Sequence, residues 1–167
     1  MARRVSRSDG LEKVLEIVTM LLMISLAAIV VIGVAFRWGG NSLDWYDEVA
    51  SVLLAWLTYY GASLGAMKRA HIGMPGIVAA MPPKYRIPSV IVAETCVLGF
   101  FGLLAYFGFV VLEVLEGDYL VTLPQVSYQL TQSVIPIGAT LYIIAELFNM
   151  PQIWREATGR ADVLVKH

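Results

Sequence analysis

WYDEVASVLLAWLTYYGASLGAMKRAHI, residues 45 to 72, decides the fold. The stretch opens on an aromatic pair and an acidic cluster (Asp44, Asp47, Glu48), runs through apolar or weakly polar residues from Val49 to Met67, and closes on Lys68, Arg69 and His71. A helix of that length crosses a hydrocarbon core of roughly 30 Å at about 1.5 Å per residue. Basic flanks stay on the cytoplasmic side while carboxylates carry little orienting weight. Lys68 and Arg69 therefore place the C-terminal end of this segment inside.

Working outward, the composition agrees with a membrane protein. Of 167 residues, 58% are hydrophobic and 15% charged, with a mean hydropathy of +0.71, well beyond a soluble domain. Upstream, a basic segment (Arg3, Arg4, Arg7, Lys13) leads into an apolar run over 14–36. That run is too long for a signal peptide and lacks a small-residue cleavage site, so it reads as a retained first span. Downstream, 89–112 and 130–148 read as the third and fourth spans, the latter containing Pro136. A proline there requires neighbouring groups to satisfy freed backbone, a role open to Thr131, Gln132 or Ser133. Between the second and third spans, Met74 to Met81 is apolar but too short to cross, and is expected as a short interfacial segment flanked by His71, Lys84 and Arg86.

The expected fold is thus an all-α membrane domain of four spans over residues 1–167. The basic residues give its orientation. Those of the N-terminal segment, Lys68, Arg69, Lys84, Arg86, Arg155, Arg160 and Lys166 all fall on one side, against Arg37 alone on the other. Both termini are then expected in the cytoplasm.

Ionisable residues within spans are functional candidates by default. Glu16, Glu94 and Glu146 are expected near one level, on the side of Lys68, where intramembrane ion pairs among them are the simplest arrangement. The alternative is a proton or cation path with Glu94 as its best candidate. The middle of the four spans offers no ionisable steps for such a relay. His71 lies in a connection and His167 is the last residue, a placement that argues against a bis-histidine haem. Cys96 stands alone, and no nucleotide loop, nucleophile elbow or metal-spaced cluster is present. No cofactor, active site or nucleic-acid partner is expected. Gly61 and Gly65, with Ala62, Ser63 and Ala66 beside them, form a small-residue face that lets another helix approach closely.

The order of features in the opening stretch resembles the small membrane subunit of tripartite ATP-independent periplasmic (TRAP) transporters. The matching features are a tryptophan and an acidic residue before the second span, a tryptophan within it, Gly-Ala near its end, then a basic pair and His-Ile. Phe36-Arg37 matches the aromatic-arginine that ends the first helix in that family, and the proline-glycine of Ile135 to Gly138 in the fourth span looks like its closing segment. Met74-Pro75 departs from an aspartate often found after His-Ile. The resemblance implies a non-enzymatic, multi-pass subunit of the bacterial inner membrane. Its partners would be a large sodium-coupled membrane subunit, a periplasmic binding protein that delivers an organic acid, and the surrounding lipid. By motif match the candidate interface residues are Arg37, Trp45, Glu48, Trp56, Gly61, Gly65, Arg69 and His71. Two other classes stay open at this point: a homodimeric proton-coupled small transporter using Glu94 or Glu16, and the membrane anchor of a redox complex.

Overall fold

A computed structural model describes residues 8–68 and 82–157. Its helices are α1 (Ser8–Trp38), α2 (Tyr46–Met67), α3 (Pro83–Val114), the short α4 (Tyr128–Gln132) and α5 (Val134–Ala157). Among the described residues, four stretches are long and apolar enough to cross a membrane: Gly10–Trp38, Tyr46–Met67, Lys84–Val114 and Tyr128–Pro151. Hydrocarbon offers no partner for backbone N–H and C=O groups, so apolar chain of this length must satisfy them within its own helix. The expected interfacial segment, Arg69 and His71 lie outside the described residues.

The boundaries differ from the hydropathy reading in three places. Helix α1 begins at Ser8, well before the apolar run, because a helix that has left the hydrocarbon can continue through polar residues. Helix α3 begins at Pro83 and runs through Pro88. Pro83 occupies the first turn, where an absent N–H costs nothing, and the Pro82 carbonyl accepts from the N–H groups of Tyr85 and Arg86. Pro88 then removes only one bond, close to a helix end. The fourth span is interrupted at Ser133, dividing α4 from α5. Pro136 cannot donate to the carbonyl four residues back, and the ladder breaks one turn before it.

Spatial order differs from chain order. Helix α1 packs on α2, α2 on α5, and α5 on α3, so the last span lies between the second and the third. At one end of this trio Ala66, Tyr142 and Ala145 are buried, with Ala62, Met67, Val97 and Phe101 packed around them. The rings of Phe101 and Tyr142 stack at 3.7 Å and 8°. Lipid tails are as apolar as leucine, so close backbone approach and hydrogen bonds hold membrane helices together. Both occur where α2 meets α5. Gly138 faces Tyr59 so closely that an added Cβ would stand 2.6 Å from the tyrosine Cβ. The buried Ser63 hydroxyl, which is 2.9 Å from the Tyr59 carbonyl, also reaches the Gly138 carbonyl across the joint at 3.1 Å. Gly33 gives α1 the same intimacy with the Tyr46 ring of α2, and Gly108 brings α3 against Pro136 of α5.

Candidate functional site

The chain turns sharply after α1, with Gly40 at φ 82°, and enters α2 on Asp47 and Glu48. Carboxylates in a first turn suit the positive end of the helix dipole. Glu48 does more than that. Its carboxylate accepts hydrogen bonds from the backbone N–H of Val121 at 3.1 Å and of Thr122 at 2.9 Å, and from the Thr122 hydroxyl. The Tyr128 hydroxyl stands 3.5 Å away on the same carboxylate. Successive backbone N–H groups converging on one anion form a concavity suited to negative charge. The segment between α3 and α4 is thereby hooked onto the start of α2.

That segment is folded on itself as well. Tyr119 and Ser127 form an isolated antiparallel bridge, Leu120 N–H donates to the Val126 carbonyl at 3.0 Å, and Leu120 is buried. The Ser127 hydroxyl then caps α4 by accepting from the Gln129 N–H. The Gln129 amide donates to the Leu112 carbonyl near the end of α3 at 2.9 Å. Two turns along α2 from Glu48, the Trp56 indole donates to the Thr131 carbonyl at 2.9 Å. This lies in the stretch where the helical ladder breaks before Pro136. The Thr131 and Ser133 hydroxyls, considered above as partners for freed backbone, turn to the carbonyls of Tyr128 and Leu130. Glu48 and Trp56 therefore join α2 to the segment that precedes α4 and to α4 itself.

A shallow cavity of about 190 Å³ opens beside this junction, lined in part by Glu48, Ser51, Tyr128, Thr131 and Gln132. Both Glu48 oxygens are engaged by donors, and the Ser51 hydroxyl donates to the Asp47 carbonyl at 2.8 Å. Among the described residues no three His, Cys, Asp or Glu side chains gather as metal ligands. The chemistry of the junction is adhesion.

At the other end, Lys68 Nζ stands 3.3 Å from Glu16 and 3.9 Å from Glu12. These groups are about two-fifths exposed, which limits the pair to a weak tie between α1 and α2. Glu94 and Glu146 lie near the Tyr142 hydroxyl, where α3 meets α5. The Asn149 amide donates to the Ala66 carbonyl at 2.7 Å. Arg37 sits exposed in the last turn of α1 beside Trp38, which is 91% exposed. Trp45 holds the N-cap position of α2 without a side-chain cap. An added Cβ on Gly61 meets nothing within 4 Å, and the buried small residues of α2 are Ser63 and Ala66. Gly61 itself thus makes no close helix contact within the chain. Thr122, Tyr128 and Asn149 were not singled out by sequence, and Gly138 stood out only as part of the family's closing segment. Only their distant partners give them meaning.

The model of the DctQ component of tripartite ATP-independent periplasmic transporters matches residues 26–156. The chain belongs to the TRAP small-subunit family. Among similar proteins is one of Haemophilus influenzae, provisionally named a TRAP transporter small permease protein. It is 24% identical over 153 residues, covering 90% of this chain and 91% of that protein. Another is SiaQ of Vibrio cholerae, the small permease protein of a sialic acid TRAP transporter. It too is 24% identical over 153 residues, covering 89% of this chain and 88% of its own. This TRAP small subunit is a multi-pass protein of the bacterial inner membrane, and its family role is that of a transporter component.

Proposed function

We propose that this chain is the static scaffold of a sodium-coupled TRAP transporter that imports an organic acid, holding a large membrane subunit while a periplasmic binding protein delivers substrate. In this reading the Lys68 end and both termini face the cytoplasm, and the Glu48 junction faces the periplasm. One observation carries it. The cross-helix polar bonds, Glu48 to Val121 and Thr122, Trp56 to Thr131, Ser63 to Gly138 and Asn149 to Ala66, all join one part of the chain to another. A transport site needs polar groups held open toward a passage at mid-membrane. Here they are spent on rigidity. That SiaQ serves a sialic acid transporter supports an acidic solute.

The test is reconstitution in vesicles. Sodium-driven uptake of a panel of labelled carboxylates, sialic acid included, is expected when this chain, the large subunit and the binding protein are all present, and is expected to vanish when any one is omitted. Uptake by this chain alone, driven by a proton gradient, would refute the scaffold reading.

A further inference from the structure

Helix α3 lies at the edge of the array, packed on α5 along one side. Its other side exposes Ile91, Leu103, Phe107 and Val110 among others. Such a surface suits lipid tails and a neighbouring helix equally well. Tyr106 breaks that balance. It is 64% exposed, its ring meets Phe107 edge-on at 5.2 Å, and its hydroxyl has no hydrogen-bond partner among the described residues. Tyr106 lies about 9 Å along the helix from Leu112, the last apolar residue before Glu113. Helical side chains lean toward the N-terminus of their helix, so this one leans toward mid-membrane and away from the nearer surface. Lipid tails offer its hydroxyl no acceptor, and an unmatched hydroxyl in hydrocarbon is costly. The exposed large side chains of α1 between Val14 and Phe36 are aliphatic apart from Phe36 itself. They pose no such demand.

The ends of α3 restrict the occupant. Lys84, Tyr106 and Glu113 fall along one line of the helix and are all exposed. Two copies of a chain enter the membrane in the same orientation, so a symmetric pair on this face would stack Lys84 on Lys84 and Glu113 on Glu113. Like charges face each other at both ends of such a pair, which selects a different chain. Gly99 and Gly102 have open space where a Cβ would stand and leave room for a close approach. We propose that the exposed face of α3, centred on Tyr106, seats a helix of the large membrane subunit, and that this helix accepts the Tyr106 hydroxyl's hydrogen bond. The proposal rests on the small-subunit reading given above.

The test uses the intact complex with Tyr106→p-benzoylphenylalanine, and with Ile24→p-benzoylphenylalanine on the exposed face of α1 for comparison. Irradiation is expected to shift this chain by the mass of the large subunit from position 106 and not from position 24. Adducts from position 24 alone, adducts from neither position, or a dimer of this chain from position 106 would each overturn the proposal. Tyr106→Phe keeps the ring and is expected to lose large subunit at a lower detergent concentration than wild type, while eluting normally on its own. Equal retention would overturn the role of the hydroxyl. A wild-type chain that retains no large subunit before irradiation would instead refute the assembly under "Proposed function".

Discussion

Replacing Gly138 with alanine tests the central joint. The new methyl is fixed to backbone and its nearest neighbour is the Tyr59 Cβ at 2.6 Å, itself fixed to backbone, so neither atom can rotate away. Ordinary contact begins at 3.4 Å, which requires α2 and α5 to separate by about 0.8 Å. The Ser63 hydroxyl reaches the Gly138 carbonyl at 3.1 Å, and that separation carries the pair beyond hydrogen-bonding range. Overpacking costs about 1–3 kcal/mol, and the broken buried bond adds about 1 kcal/mol. Alanine's better helix propensity returns about 1 kcal/mol, so the net loss should be about 1–3 kcal/mol. Unfolding in mixed micelles with rising dodecyl sulfate, followed by circular dichroism, measures it. Gly61→Ala is the control: its methyl enters open space and, by helix propensity, should be neutral or stabilising by up to about 1 kcal/mol. Wild-type stability for Gly138→Ala, or an equal loss from Gly61→Ala, would refute the reasoning.

Trp56→Phe keeps an aromatic ring and deletes the donor to the Thr131 carbonyl; it should cost about 1–2 kcal/mol in the same titration, and no loss would show that another group serves that carbonyl. Glu48→Gln removes the anion that the Val121 and Thr122 amides address, so hydrogen exchange at those two amides should quicken while exchange in the middle of α2 holds. Uniform acceleration across the chain would mean that Glu48 supports the whole bundle. Lys68→Met should cost less than about 1 kcal/mol, because an exposed ion pair is worth little. A loss of several kcal/mol would place Lys68 in a stronger network than its two carboxylates.

The spans were legible because mean hydropathy and length are local properties, readable one segment at a time. Their ends were less so. The third span was read from residue 89, yet α3 runs back through Pro88, where a single lost bond is cheap, and the break at Ser133 follows from Pro136, which lies farther along. The junction was half legible. Glu48 and Trp56 stood among the candidates through family resemblance, but their partners Thr122 and Thr131 lie 74 and 75 residues away. No periodicity links positions so far apart. The glycine motif at Gly61 and Gly65 drew notice through its spacing, while the tight contact falls on Gly138, which stood out only through the family's closing segment and not as a packing site. What makes Gly138 special is the tyrosine opposite, and that is a tertiary fact.

The placement of α5 between α2 and α3 bears on how the molecule is made. A ribosome delivers α1 and α2 first, and these can pair as soon as both are in the bilayer. Helix α3 follows, with its principal packing partner still unsynthesised. It waits in lipid until the closing helix slides in beside it. Truncation before α5 should therefore leave an ordered first hairpin and a stranded third span, recognisable to membrane quality control, in place of a bundle that is merely one helix smaller.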